Sequence, residues 1–210
     1  MIYLADKEVQ RRKRLAKEEE RDNVVLLDQQ LENVHTFDYL GSRMQCDGDQ
    51  KADVKHRMDI AQSRFSSMHH IWRDHRLPQR MKLRLYKSSV CSTFTHGCEA
   101  WDLTQDVTRM INGFNSRCLQ VITKKHFRDT ATHPDFNLVA AIRRRRLRYL
   151  GHVLRMDPSR LVRRTLKAYV CGGENPPEGS LLMDCDLPFE LAARQARNRQ
   201  MWNAKVNKIN

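Results

Sequence analysis

Guanidinium groups crowd one stretch of this chain. Between Arg143 and Lys167 stand ten cations, Arg143, Arg144, Arg145, Arg146, Arg148, Arg155, Arg160, Arg163, Arg164 and Lys167, against the single acid Asp157. That local balance of +9 makes up most of the net +13 carried by the 210 residues. Arginine offers a planar fork of donors that fits phosphate oxygens, so such a run points to a polyanion held through its backbone. On a helix Arg144, Arg148, His152 and Arg155 fall on one side, and Ile142, Leu147, Leu150 and Leu154 on another. The spacing predicts a helix whose apolar face is docked and whose guanidinium ridge faces outward. A solvated face of no function would mix in acids, and an anionic membrane is the lesser candidate partner.

Other chemistries fail on spacing. The chain has no Gly-x-Ser-x-Gly, no phosphate-cradling glycine loop and no His-Glu-x-x-His, and no two aspartates are adjacent. Two-metal polymerisation needs clustered carboxylates, so no catalytic residue and no cofactor are assigned. Cys91, His96 and Cys98 share a neighbourhood but lack the closely spaced pairs of a zinc site. A calcium loop starting at Asp47 would lack glycine at its sixth position and would place Met58 where a bidentate glutamate belongs. No metal is therefore expected, and Asp47 or Asp49 reads as a helix N-cap. The six cysteines form no Cys-x-x-Cys pair, and Met1-Ile2-Tyr3-Leu4-Ala5 is cut short by Asp6 before a signal-peptide core can form. Reduced, mostly buried thiols in an intracellular protein, nuclear or cytoplasmic, follow. No stretch reaches the roughly 20 apolar residues that span a bilayer.

The elements that must position the basic stretch are mostly helical. Residues 6–22 favour helix but bury little, which predicts an exposed charged leader over 1–23. Val24-Val25-Leu26-Leu27 and Phe37-Asp38-Tyr39-Leu40, the latter ending at Gly41-Ser42, read as two strands of a hairpin within 24–45. Val54, Met58, Ala61, Phe65, Met68 and Trp72 predict one helix over 50–75, and Leu83, Leu85, Tyr86, Val90 and Phe94 a second over 79–101. A third is expected from Thr104 to about Lys125, and a break at Thr132-His133-Pro134 precedes a fourth over 138–156. A short helix over 160–169 leads to a Gly/Pro loop over 171–188, and a last helix covers 189–209. The fold class expected is mainly α, a helical bundle with one N-terminal β-hairpin.

Six landmarks in order carry a resemblance that covers the chain from about Val24 to its end. They are Phe37-Asp38-Tyr39-Leu40-Gly41-Ser42, Ile71-Trp72, Lys82-Leu83-Arg84-Leu85-Tyr86, Thr95-His96-Gly97-Cys98-Glu99-Ala100-Trp101, Arg117-Cys118-Leu119, and the segment from Ile142-Arg143-Arg144-Arg145-Arg146 through Leu150-Gly151-His152 to Arg155-Met156. Together they resemble the C-terminal part of a non-LTR, LINE-type retrotransposon reverse transcriptase. The resemblance implies that 24–45 is similar to the primer grip, with Phe37, Tyr39, Leu40 and Gly41 at its turn. It implies a thumb-like bundle over 46–130 and an Arg-rich region over 131–170.

Arg143, Arg144, Arg145, Arg146, Arg148, His152, Arg155, Arg163 and Arg164 are the residues expected to hold nucleic acid. RNA, DNA or their hybrid, and the remainder of the parent enzyme, are the implied partners. The chain departs from the family at His96, where the pattern has Tyr, and in a tail that looks shortened after Gly179. The family's catalytic aspartates belong upstream of Phe37, and residues 1–23 resemble none of it. A truncated, non-catalytic fragment is therefore the first expectation. An independent Arg-rich RNA- or DNA-binding module and a helical protein-interaction module are the alternatives.

Overall fold

The computed structural model describes residues 25–26, 29–31, 34–39, 41–46, 50–124, 136–171 and 180–209. The expectations for the leader at 1–23, for Leu40, for Asp47 and Asp49, for Thr132-His133-Pro134 and for 172–179 lie outside the described residues. The fold is mainly α, a helical bundle with an N-terminal antiparallel hairpin.

The strands pair otherwise than in the single hairpin expected. Val25–Leu26 (β1) pairs with Gln29–Gln30 (β2), and Thr36–Tyr39 (β3) pairs with Ser42–Gln45 (β4), Phe37 opposite Met44 and Tyr39 opposite Ser42. The two apolar runs therefore do not pair with each other. Gly41, at φ +80°, turns the chain instead of ending it, because glycine enters the left-handed region without a Cβ penalty. The strand that follows, Ser-Arg-Met-Gln, lacks the β-branched residues that announce a strand. Across the hairpin Arg43 grips Asp38 with two bonds of 2.9 Å, which holds the Asp38 carboxyl below its usual range.

Three expected helices are interrupted, each for a local reason. Lys51–Ser67 (α1) stops before His69–Arg73 (α2). The Phe65 carbonyl takes the indole N–H of Trp72 at 2.8 Å as well as the Met68 amide, and the two rings stack at 5.1 Å. The N-cap of α1 is Gln50, with no side-chain cap bond; its Oε1 accepts from the Asp102 amide instead. Gln79–Leu85 (α3) runs into a π-helical turn at Tyr86–Cys91 and then Ser92–Phe94 (α4). Ser92, Thr93 and Thr95 return their hydroxyls to the carbonyls of Ser88, Ser89 and Cys91, a competition that loosens regular helix. Gly97, at φ +75°, then leads into a 3-10 turn at Cys98–Ala100.

Gln105–Thr123 (α5) is capped by Thr104, and Leu138–Arg155 (α6) by Asn137, whose side chain accepts from the Ala140 amide at 3.0 Å. Leu161–Cys171 (α7) follows. The last expected helix is two, Phe189–Arg197 (α8) and Arg199–Asn207 (α9), because Asn198 accepts from the amides of Gln200 and Met201 and starts the chain afresh.

Two apolar cores result, and α6 belongs to both. Val54, Phe65, Trp72, Tyr86, Phe94, Trp101, Ile111, Phe114 and others from α1 to α5 enclose Leu138, Val139 and Ile142. One to three turns further on, Leu147, Leu150 and Leu154 meet Leu182, Phe189, Ala192, Trp202 and Val206. The arginine run 143–146 sits where the helix passes from one core to the other.

Candidate nucleic-acid interface

The hairpin turn and the Thr95–Trp101 loop, far apart in sequence, are held together by α1. Asp53 accepts from the Arg43 amide at 2.8 Å and from the Trp101 indole at 2.6 Å. The Arg57 guanidinium lies against Gly41, where a Cβ would stand 3.1 Å from Nη2, and donates to Nδ1 of His96 at 3.2 Å. A Cβ on Gly97 would meet the Ser42 hydroxyl at 3.2 Å. Two of the sequence landmarks are thus anchors of one junction. Phe37 and Tyr39 project from it, each 54% exposed, with their rings stacked 6.3 Å apart.

The arginine run is not an outward ridge. Arg146, expected at the interface, is instead internal: it is 0% exposed and 3.0 Å from Asp184. Arg143 lies 3.5 Å from the same carboxylate. Arg145 bonds Glu99 at 3.1 Å and the Thr95 carbonyl and hydroxyl at 2.9 and 2.7 Å. Arg144 donates to the Ile209 carbonyl, Arg155 to that of Ala196 and Arg163 to that of Met156. Successive positions on a helix point about 100° apart, so the four consecutive arginines reach three neighbours around α6: Arg143 and Arg146, one turn apart, share Asp184, while Arg144 reaches Ile209 and Arg145 reaches Glu99. Their partners lie 38 to 65 positions away, where no local window shows them. Burial pushes the Asp184 carboxyl up to about 6, against the pull of Arg146 and Arg143. Burial likewise lowers Arg146 from its ordinary value, against the pull of Asp184 and Asp102.

Of the residues expected to hold nucleic acid, Arg148, His152 and Arg164 are exposed. The apolar side of α6 is as expected, with Ile142, Leu147, Leu150 and Leu154 buried. Gly151 lets Trp202 close on the helix: the indole donates to the Leu147 carbonyl at 2.9 Å, and a Cβ at 151 would stand 2.2 Å from its nitrogen.

A second basic stretch lies outside the residues expected to hold nucleic acid. Arg73, Arg76, Arg80 and Arg84 in α2, α3 and the turn between them, and Lys87 in the π-helical turn that follows, are all exposed; the same stretch carries His69, His70 and His75, also exposed, and Asp74 as its one acid. Lys82 is the exception there, buried with its ammonium on the Trp72 carbonyl at 2.9 Å. The i,i+4 pair Arg80 and Arg84 carried the signal in the sequence, overshadowed by the denser run downstream.

The thiols are mostly silenced. Burial pushes Cys91, Cys98 and Cys118 up to about 12 and raises Cys185. Cys46 alone of the five described free cysteines is exposed, in contact with His35. Among the described residues no His, Cys, Asp and Glu side chains gather into a metal-holding group, and no helix is long and apolar enough to cross a membrane. Compared with known proteins, the chain matches no family model, no curated protein and no solved structure.

Proposed function

We propose that this chain is the nucleic-acid-holding C-terminal part of a non-LTR retrotransposon reverse transcriptase, a thumb-like bundle with a primer-grip-like hairpin and a basic region after it. It binds RNA, DNA or their hybrid through backbone phosphates, and the carboxylates of polymerisation are not among its assigned residues. The supporting observation is exposed, uncancelled positive charge along two stretches: Arg73, Arg76, Arg80, Arg84 and Lys87 in one, and Arg148, Arg160 and Arg164, with His152 among them, in the other. Among the described residues none of these makes an ion pair. Phe37 and Tyr39 are, in this reading, the aromatic pair nearest a primer end.

Counterion release gives the test. Each phosphate neutralised contributes about 0.9 to the slope of log affinity against log salt on duplex DNA. Replacing Arg76, Arg80 and Arg84 together by Gln should lower the measured slope by up to about three. Duplex binding with a slope near zero, or a slope that the triple variant leaves unchanged, would overturn the reading.

A further inference from the structure

One hollow lies outside both cores and carries an aromatic ring among cations. Arg145, Arg148, Tyr149 and His152 follow one another at i, i+3, i+4 and i+7 on α6, and with Glu99 they line a space of about 500 Å³. Tyr149 is 40% exposed in it. Arg145 forms a fixed wall, tied to Glu99 and to the Thr95 carbonyl and hydroxyl, so the one acid of the hollow is already paired. Arg148 and His152 are exposed beside the ring.

We propose that this hollow takes one unstacked nucleotide of a single strand, the base lying on the Tyr149 ring and the flanking phosphates on Arg148 and His152. The assignment rests on the nucleic-acid reading above and names a subsite within it. A duplex keeps its bases stacked inside, where a side chain on a helix surface cannot reach their faces. A single strand offers a π-face at every base, and aromatic rings set in a basic groove are the general means of holding one. Charge favours the same ligand, because Glu99 is spent on Arg145 while Arg148 makes no ion pair among the described residues.

Anisotropy of a labelled oligothymidylate and of a labelled duplex of equal length tests this on the full chain. Loss of one stacked base is worth a factor of roughly 5 to 150 in affinity. Tyr149→Ala should weaken oligothymidylate by a factor in that range with an unchanged salt slope, leave the duplex affinity as it was, and be rescued by Tyr149→Phe. An unaltered oligothymidylate affinity, or an equal loss on the duplex, overturns the subsite while leaving the broader reading standing. A wild-type chain that binds neither probe overturns both.

Discussion

Gly151 shows how a single atom can decide a packing arrangement. Exchanging glycine for alanine inside a helix gains up to about 1 kcal/mol in propensity. Here the added methyl would stand 2.2 Å from the Trp202 indole nitrogen, so the ring must leave and its bond to the Leu147 carbonyl must break. Gly151→Ala should therefore destabilise the chain by about 2 kcal/mol or more, in the range of displaced large side chains. Trp202→Ala should cost about 3–5 kcal/mol. In the double variant the methyl has nothing to strike, so the two losses should fall well short of additive in urea denaturation. Additive losses would mean that the methyl and the ring do not compete for the same space. The Leu-Gly-His order was visible in the sequence, but the reason for its glycine was not, because Trp202 lies 51 positions away in a helix that Asn198 starts afresh.

At the scale of elements, α6 joins two cores, and its arginines are the joint. Periodicity alone located the helix and its apolar side, since Leu147, Leu150 and Leu154 obey a local rule. The same rule assigns arginines to a face but cannot say whether that face meets water or another element. Asp184 makes the joint sensitive to pH. Its carboxyl titrates near 6 when folded, against an ordinary 3.8, because burial outweighs the attraction of Arg146 and Arg143. Between those values the folded chain keeps a proton that the unfolded chain gives up. This contribution to stability is full below about 4 and is lost as pH rises through about 6. At about 1.4 kcal/mol per pKa unit, the wild type should gain on the order of 1 kcal/mol between pH 7 and pH 5 relative to Asp184→Asn. Parallel stability-versus-pH curves for the two chains would remove Asp184 as the source.

For the whole molecule, the consequence is a field placed differently from the one composition suggests. Ion pairs absorb part of the densest positive run, through Asp184 and Glu99. Uncancelled charge remains on two surfaces, Arg73 to Lys87 against the first core and Arg148 to Arg164 beside the second. A strand too short to touch both is held by one surface alone. Once it reaches the other, the second contact forms at the effective concentration set by the intervening strand, and affinity rises without any new type of contact. Binding measured over a series of strand lengths should accordingly show a step and then a plateau. Arg80→Gln with Arg84→Gln weakens one of the two holds, so the variant should lose the step while its affinity for the shortest strands falls much less than its affinity for the longest. A smooth rise with length, following only the number of overlapping registers, and the same proportional loss at every length in the variant, would show that a single surface does all the holding.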